Sequence, residues 1–378
     1  MGLTRSVGVG VIGYGFMGKA HSHAFRNVAA FTDSPLVPSL EAMSGRNLEN
    51  LKQVASRFGY KRVYTDYRDL IKDQSVEVVD NTAPNNVHKD PVVEALEAGK
   101  HVICEKPLAR NAEEAYEIYK ASERAHVRHM LAHNYRFVPA IVLAKRLISQ
   151  GFLGRIYHFK GLYLQQWLSN PDAPMTWRLK REFAGSGALG DLGSHVVDLA
   201  RYLVGEVTAA KGTAETFVKE RLNPQTSRKE EVTVDDAFHA LIKFQNGATG
   251  VIEASRMATG HDNSLLIEVN GDQGSLRFNL ERLNELEVYS VKDAEVRGFR
   301  TVLVTGRDHP FMKFWWPPGH IIGWEHTFTH EIYHFLTRVN EDRDVGPEAA
   351  TFKDGWRTAV ILDAILKSSE SGKWESTS

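Results

Sequence analysis

Val7-Gly8-Val9-Gly10-Val11-Ile12-Gly13-Tyr14-Gly15-Phe16-Met17-Gly18 decides how this chain is read. An apolar run ends in glycines spaced Gly13-x-Gly15-x-x-Gly18, and Lys19-Ala20-His21-Ser22-His23-Ala24-Phe25 follows as helix. Strand, tight glycine turn and helix are the arrangement that holds a dinucleotide pyrophosphate. The first glycine permits the turn, the second lets backbone amides approach the phosphates with no Cβ in the way, and the third lets the helix pack closely on the strand. The helix N-terminus adds unpaired N–H donors and a partial positive charge. Phe16 and Met17 lie inside the turn and belong to the same candidate cofactor site.

Working outward, strand and helix patterns alternate through the first third of the chain. Leu36–Ser44, Val76–Asn81 and His101–Cys104 read as strands. Residues 17–31, Asn47–Phe58, Asp66–Ile71 and Pro91–Ala98 read as helices, with Gly59 and Gly99 as stops. This alternation implies parallel βαβ units in a doubly wound sheet. The pattern then changes. Arg155–Leu168, Val207–Val218, Asp236–Phe244, Ala248–Met257 and Leu265–Val269 follow the strand period, with Asn246-Gly247 as a hairpin signal. Short turns between them imply an antiparallel sheet. Helices are expected at Gly193–Val204, at Trp324–Val339 and from Pro347 to Ser368, and Lys219–Glu231 reads as a polar surface loop. The expected organisation is α/β: a Rossmann domain at residues 1–128, then an α+β domain with an open antiparallel sheet at 129–378. Active sites of such proteins lie at the carboxyl ends of the parallel strands.

Composition narrows the function classes. Of 378 residues, 46 are Lys or Arg and 47 are Asp or Glu, a formal net charge of −1. Such a chain has no general attraction to nucleic acid or anionic membrane. Cys104 is the single cysteine, so no internal disulfide forms, which fits a reducing, cytoplasmic compartment. No apolar run approaches the ~18 residues of a membrane span, and no secretory signal is visible. Met1-Gly2-Leu3-Thr4-Arg5-Ser6 matches a myristoylation pattern. It is read here as a short leader into a strand beginning at Val7, which leaves little free arm for an anchor.

Two constellations could carry chemistry. Glu105-Lys106-Pro107 stands at the end of the His101–Cys104 strand. A lysine there, beside the expected nucleotide, can take a proton from a hydroxyl as hydride leaves the same carbon; equally, it is a surface lysine in a turn. Gly185-Ser186-Gly187-Ala188-Leu189-Gly190-Asp191-Leu192-Gly193-Ser194-His195-Val196-Val197-Asp198 places Asp191, His195 and Asp198 at i, i+4 and i+7, one face of a helix. A carboxylate beside an imidazole binds a sugar hydroxyl and relays its proton; the alternative is an N-cap aspartate and a packed histidine.

Taken in order, Gly13-x-Gly15-x-x-Gly18, Thr82-x-Pro84-Asn85-x-x-His88, Glu105-Lys106-Pro107 and Gly190-Asp191-x-Gly193-x-His195-x-x-Asp198 resemble the Gfo/Idh/MocA oxidoreductases, named for glucose–fructose oxidoreductase and inositol dehydrogenase. The resemblance implies NAD or NADP as cofactor and a homodimer or homotetramer formed through the C-terminal sheet. It implies Lys106 as catalytic lysine, His195 as the proton-handling histidine and Asp191 as the holder of the substrate hydroxyl. It puts Thr82, Pro84, Asn85, His88 and Glu105 with the cofactor, and Asn134 and Arg136 near nicotinamide and substrate.

Cofactor preference is left open. Many NAD enzymes carry an acidic residue at the end of the second strand for the ribose hydroxyls, whereas Met43-Ser44-Gly45-Arg46 places Gly45 there. Losing the carboxylate removes repulsion against a 2′-phosphate, and Arg46 either pairs with that phosphate or stacks on adenine. Glu41 lies within the strand and is a poorer ribose ligand. On the substrate side, Tyr163, Gln165, Gln166, Trp167, Trp177, Arg178 and His320 offer flat rings and hydrogen-bond donors suited to a carbohydrate, and half of these aromatics can instead be core. No metal is expected: His21 and His23 point to different helix faces, and one cysteine gives no thiolate cluster. Cys104 reads as a buried strand residue. The expected function is an NAD(P)-dependent dehydrogenase of a ring hydroxyl on a sugar, anhydrosugar or cyclitol. The rivals are a redox-assisted glycosidase and a non-catalytic nucleotide-binding regulator.

Overall fold

A computed structural model describes residues 5–377. Met1–Thr4, on which the myristoylation pattern rests, lie outside them.

From the N-terminus the elements run β1 (Arg5–Ile12), α1 (Phe16–Phe31), β2 (Leu36–Ser44), α2 (Leu48–Phe58), β3 (Arg62–Tyr64), α3 (Tyr67–Lys72) and β4 (Val78–Asn81). Then follow α4 (Lys89–Glu97), β5 (His101–Glu105), α5 (Ala112–Arg124), β6 (His129–Ala132), α6 (Pro139–Ser149), β7 (Ile156–Leu164), α7 (Arg181–Ala184) and α8 (Ser194–Leu203). Strands β8 (Val207–Glu215), β9 (Glu220–Asn223), β10 (Arg228–Glu231), β11 (Ala237–Phe244) and β12 (Thr249–Ser255) come next. The chain ends with β13 (Ser264–Gly271), β14 (Gly274–Asn279), β15 (Glu285–Ser290), β16 (Arg300–Leu303), α9 (Glu325–Glu341), α10 (Phe352–Ser371) and β17 (Glu375–Ser376).

These elements form two compact units. One is the chain through Phe137 with Gly323–Trp356; the other is Val138–Ile322 with the chain from Arg357 on.

The first unit holds a six-stranded parallel sheet in the order β3-β2-β1-β4-β5-β6. The side chains of Val7, Val9 and Val11 are fully buried within it. Helix starts follow local chemistry: Asn47 Oδ1 accepts from Asn50 N–H (3.0 Å) and Asn111 Oδ1 from Glu114 N–H (2.9 Å), while Gly59 (φ 81°) ends α2. Strand order reverses between β1 and β4, and ligands of such sheets bind outside the carboxyl ends at that point. A division at 128/129 falls one strand early, because β6 belongs to this sheet. Gly323–Trp356 also returns here: α9 packs along α1, and Leu131 N–H donates to Ala350 C=O (2.9 Å). Sequence periodicity assigns α9 its helix but not the body it packs on. Pro347 does not start the last helix. Thr351 does, its N–H and hydroxyl donating to Asp354 Oδ2 (both 2.9 Å) while Asp354 N–H donates back to its hydroxyl (3.2 Å).

The second unit is built on a nine-stranded sheet, β16-β15-β14-β13-β7-β12-β11-β8-β17. Its ladders are antiparallel except one: β7 and β12 run parallel. The expected antiparallel sheet carries this one parallel ladder because β7 is inserted between β12 and β13, with helical chain and four further strands, β8 to β11, separating it in sequence from β12. Helices α6 and α8 pack on the sheet. Lys219–Glu231 is not a loop but holds the hairpin β9–β10. Its Arg221 is buried and donates to the carbonyls of Leu168 and Asn170 (both 2.8 Å), bracing the segment after β7. Beside it, Leu168, Met175, Leu179, Val232 and Val234 make a small apolar cluster. The hairpin's polar sequence carries little apolar alternation, which hides it from a reading by period.

Candidate active site

The carboxyl edge of the first unit's sheet collects the residues singled out from sequence for the cofactor. Gly13 turns the chain with φ 100°, and its N–H donates to Ser44 C=O (2.9 Å). A Cβ on Gly18 would stand 2.2 Å from Gly13 O, so helix and turn touch without a side chain between them. A Cβ on Gly15 would meet nothing within 4 Å. Gly15 is the N-cap of α1, makes no side-chain cap bond, and the first turn carries no acidic residue. The helix end therefore presents uncapped N–H groups and its dipole to open space, which suits a pyrophosphate. Within the turn Met17 is half-buried and Phe16 exposed, its ring stacked on Trp324 at 5.4 Å.

The ends of β4 and β5 adjoin this turn. Thr82 Oγ1 donates to the carbonyls of Ile12 (2.9 Å) and Gly13 (3.1 Å), tying β4 to the glycine turn. Pro84 leads into the short turn Asn85–Val87. His88 is fully buried, with Nε2 2.8 Å from Ala83 O and Nδ1 2.9 Å from Pro107 O. Burial pushes its imidazole below the ordinary value, against the pull of those two carbonyls. It links the Thr82–Asn85 segment to the turn after β5. There Lys106 is half-buried, its peptide to Pro107 is cis, and its N–H donates to Glu105 Oε2 (3.0 Å).

A group that the sequence reading set aside stands behind Lys106. His21, on the buried face of α1, has Nδ1 2.9 Å from Asp80 Oδ2 and Nε2 3.0 Å from Glu105 Oε1. All three are buried. Burial alone would push the imidazole down, but the two carboxylates outweigh it and hold it well above its ordinary value. Burial likewise raises Glu105, and the His21 bond and the charges of His21 and Lys106 bring its carboxyl below the usual range. The available signal was position: Gly18, His21, Ser22 and Phe25 share one buried helix face.

After β6, Asn134 Nδ2 donates to Thr327 Oγ1 (2.9 Å). Arg136 is buried, its guanidinium 3.9 Å from Asp354. At the end of β2, Gly45 lies under the ring of Tyr14, and Arg46 is exposed. Glu41 is engaged by Lys61 (2.6 Å), Arg62 (2.9 Å) and Ser39 (2.7 Å).

In the second unit Asp191 sits in a π-helical turn, Leu189–Gly193, that runs straight into α8. The wider turn breaks the simple i, i+4, i+7 phase from Asp191 to His195 and Asp198. Asp235 holds this turn from below, accepting the N–H groups of Gly187 (2.6 Å) and Leu189 (2.7 Å). Gly187 must be glycine, because a Cβ would stand 1.7 Å from Asp235 O. Buried Arg256 donates to that same carbonyl (2.9 Å), and burial pushes its guanidinium below the ordinary value against the opposing charges of Asp191, Asp235 and Asp236. His195 is buried and Tyr163 stands edge-on to it at 5.9 Å. Tyr163 Oη and Gln165 Nε2 both donate to Asn263 Oδ1 (2.7 Å), and Gln165 Oε1 accepts from Trp167 Nε1 (2.9 Å). Gln166 donates to Asp262 (2.7 Å). Arg178 lies over the Trp177 ring (4.4 Å) and Arg256 over Trp167 (5.5 Å). His320 is exposed, with Nδ1 2.8 Å from Pro317 O in its own turn. Asn263, Asp235 and Arg256 escaped the sequence reading because no motif surrounds them.

Among the described residues no group of three or more His, Cys, Asp or Glu side chains could hold a metal ion. No helix among them is long and apolar enough to cross a membrane.

Known proteins carry the same pattern. Residues 7–133 match the family model "Oxidoreductase family, NAD-binding Rossmann fold", and residues 141–277 match "GFO/IDH/MocA C-terminal domain". The chain belongs to the Gfo/Idh/MocA oxidoreductase family. A family member from Pseudarthrobacter phenanthrenivorans, levoglucosan dehydrogenase, is 41% identical over 98% of both chains. A crystal structure of an oxidoreductase domain protein from Kribbella flavida superposes with a TM-score of 0.95 at 43% identity, covering 99% of this chain and 100% of that one. Levoglucosan dehydrogenase in complex with NADH and levoglucosan does so with a TM-score of 0.95 at 42% identity, covering 98% and 99%. This chain is an NAD-dependent dehydrogenase of the sugar and cyclitol class. The uncapped end of α1 and the open space over Gly15 fit that cofactor.

Proposed function

We propose that this chain oxidises a ring CH–OH of a pyranose-type sugar, with the anhydrosugar levoglucosan as the first substrate and NAD as the first cofactor. What carries the reading is likeness to levoglucosan dehydrogenase along the whole chain, through both units. Gly13, Gly15, Phe16, Met17 and Gly18 receive the pyrophosphate. Gly45 and Arg46 face the adenosine ribose, with no carboxylate against a 2′-phosphate, so NADP is accepted as well. Thr82, Pro84, Asn85, His88, Glu105 and Asn134 line the cofactor's remaining length. Bound there, the nicotinamide accepts the hydride from the carbinol carbon. Lys106 and His195 take the hydroxyl proton, so that CH–OH and NAD⁺ give C=O, NADH and H⁺. Asp191 accepts a hydrogen bond from the hydroxyl and orients it. Tyr163, Gln165, Trp177, Arg178 and His320 hold the sugar's other faces, and Arg136 braces Asp354.

Assembly belongs to the same proposal. Leu241 and Val251 pair across β11 and β12 and are exposed on the second unit's sheet, a face suited to a homodimer or homotetramer. The single cysteine fits a cytoplasmic location.

The test is a panel of sugars, anhydrosugars and inositols, each with NAD and NADP, followed by nicotinamide absorbance. Turnover of levoglucosan that collapses in Lys106→Ala and His195→Ala is expected. Wild-type turnover in Lys106→Ala would sink the mechanism, and turnover confined to inositols would replace the substrate.

A further inference from the structure

His21 touches three elements that build the cofactor edge. It sits on α1, whose first turn is the glycine cradle. Asp80 is on β4, two residues before Thr82. Glu105 closes β5, next to Lys106. Each nitrogen of the ring meets a carboxylate oxygen, at 2.9 and 3.0 Å. Ionised carboxylates only accept, so both ring nitrogens act as donors when both carboxylates are charged. Glu105 then spends one oxygen on His21 and the other on the Lys106 N–H. Both carboxylate oxygens are thereby engaged, one by the ring and one by the peptide that starts the lysine side chain. On the far side α9 closes over the ring: Phe328 lies 5.3 Å from His21, Trp324 stands 4.6 Å from Phe328, and Phe16 of the glycine turn stacks on Trp324. Besides Lys106, whose charge acts on Glu105, the titratable groups Tyr60, Cys104 and His88 sense one or both carboxylates, and these three are buried.

We propose that His21 is a positioning residue for the hydride-transfer reaction: donating from both ring nitrogens, it locks Glu105 under the Lys106 backbone and so fixes the lysine relative to the glycine cradle carried on the same helix. The inference rests on Lys106 as the proton-handling group. Its geometry is that of an orienting partner behind a reacting side chain, and a misplacement of about 1 Å costs on the order of 100-fold in rate.

Four variants and one spectroscopic measurement test it, using levoglucosan with NAD, or the panel sugar of highest turnover. His21→Leu and Glu105→Ala are expected to lower single-turnover hydride transfer about 10- to 100-fold while sugar KM and NADH affinity shift far less. Glu105→Gln keeps an acceptor for the Lys106 N–H and leaves His21 its donation to Asp80, so it restores most of the rate. If His21→Leu does not fold, the Glu105→Ala and Glu105→Gln pair decides. Nitrogen NMR of ring-labelled histidine, with His21 assigned by comparison with the variant, is expected to show both nitrogens protonated. A neutral His21, an unchanged rate in His21→Leu, or equal losses in Glu105→Gln and Glu105→Ala overturns the proposal. Lys106→Ala separates the two failures: if it keeps wild-type turnover, the lysine's role falls, and if it alone loses turnover, only His21 is misassigned.

Discussion

The ring of Tyr14 lies so close over Gly45 that a Cβ there would stand 2.3 Å from Tyr14 Cε1. The residue at the end of β2 is glycine because an aromatic ring from the cofactor turn already fills the space a side chain would take. Gly45→Asp, the change expected to favour NAD on charge grounds, must first displace Tyr14. NAD affinity is therefore expected to fall, by about tenfold if the displacement costs ~1.4 kcal/mol. Gly45→Asp combined with Tyr14→Ala should recover it. In the same titrations Arg46→Ala should weaken NADP and spare NAD; unchanged NADP binding removes Arg46 from the phosphate.

Gly187→Ala tests the support of Asp191. Its Cβ has no room against Asp235 O, and relief means shifting the turn that carries Asp191. A stability loss of about 1–3 kcal/mol is expected, with sugar turnover reduced at least tenfold or so. NADH affinity, a property of the first unit's cradle, should hold. Equal loss of NADH binding, read by fluorescence titration, would show that Gly187 acts through general unfolding.

Two buried histidines contribute strongly to the acid limb of stability. Burial pushes His330 down to about 3 and His129 to about 4. An unfolded histidine titrates near 6.5, so below about pH 6.5 the unfolded chain binds protons that the folded one refuses, and each site removes up to about 1.4 kcal/mol per pH unit. That loss runs down to the folded pKa. His21 acts in the opposite sense: its raised value makes its contribution full below about pH 6.5 and lost as pH rises through the folded value. Urea midpoints of wild type and His330→Gln between about pH 6.5 and 4 check the first window, since an ordinary histidine pKa lies at its upper edge. The wild-type curve should be the steeper; parallel curves would place His330 outside the effect.

Leu241→Glu tests assembly. Leu241 is 48% exposed on the second unit's sheet. A charge there should reduce the mass seen by light scattering to that of one chain. An unaltered mass would move the interface elsewhere.

Much of this was legible because it is local. Gly13, Gly15 and Gly18 announce themselves by spacing, and four of the six parallel strands end beside a residue singled out from sequence: Ile12, Ser44, Asn81 and Glu105; the short strands β3 and β6 carry no such marker. What stayed hidden depends on residues far apart in sequence. His21 and Glu105 are 84 positions apart, and Gly187 and Asp235 are 48. Neither pair has a period to betray it. The i, i+2 spacing of His21 and His23 argues against a metal site but carries no sign of the two carboxylates that flank His21 in the fold. The Glu220–Glu231 hairpin escaped because two short polar strands show no buried alternation. The parallel pairing of β7 with β12 escaped because only the folded order of strands reveals it.

Helix α9 and the stretch around Ala350 complete the first unit, yet the ribosome makes them after nearly two hundred residues of the second. During synthesis the nucleotide-binding sheet therefore emerges with one flank of α1, including the side of His21 that Phe328 later covers, still bare. Its closure waits for the last sixth of the chain. A gene fragment ending at Phe137 thus encodes the strands of a dinucleotide fold without the helix that seals them, and it should need that helix supplied as a separate peptide before it holds cofactor.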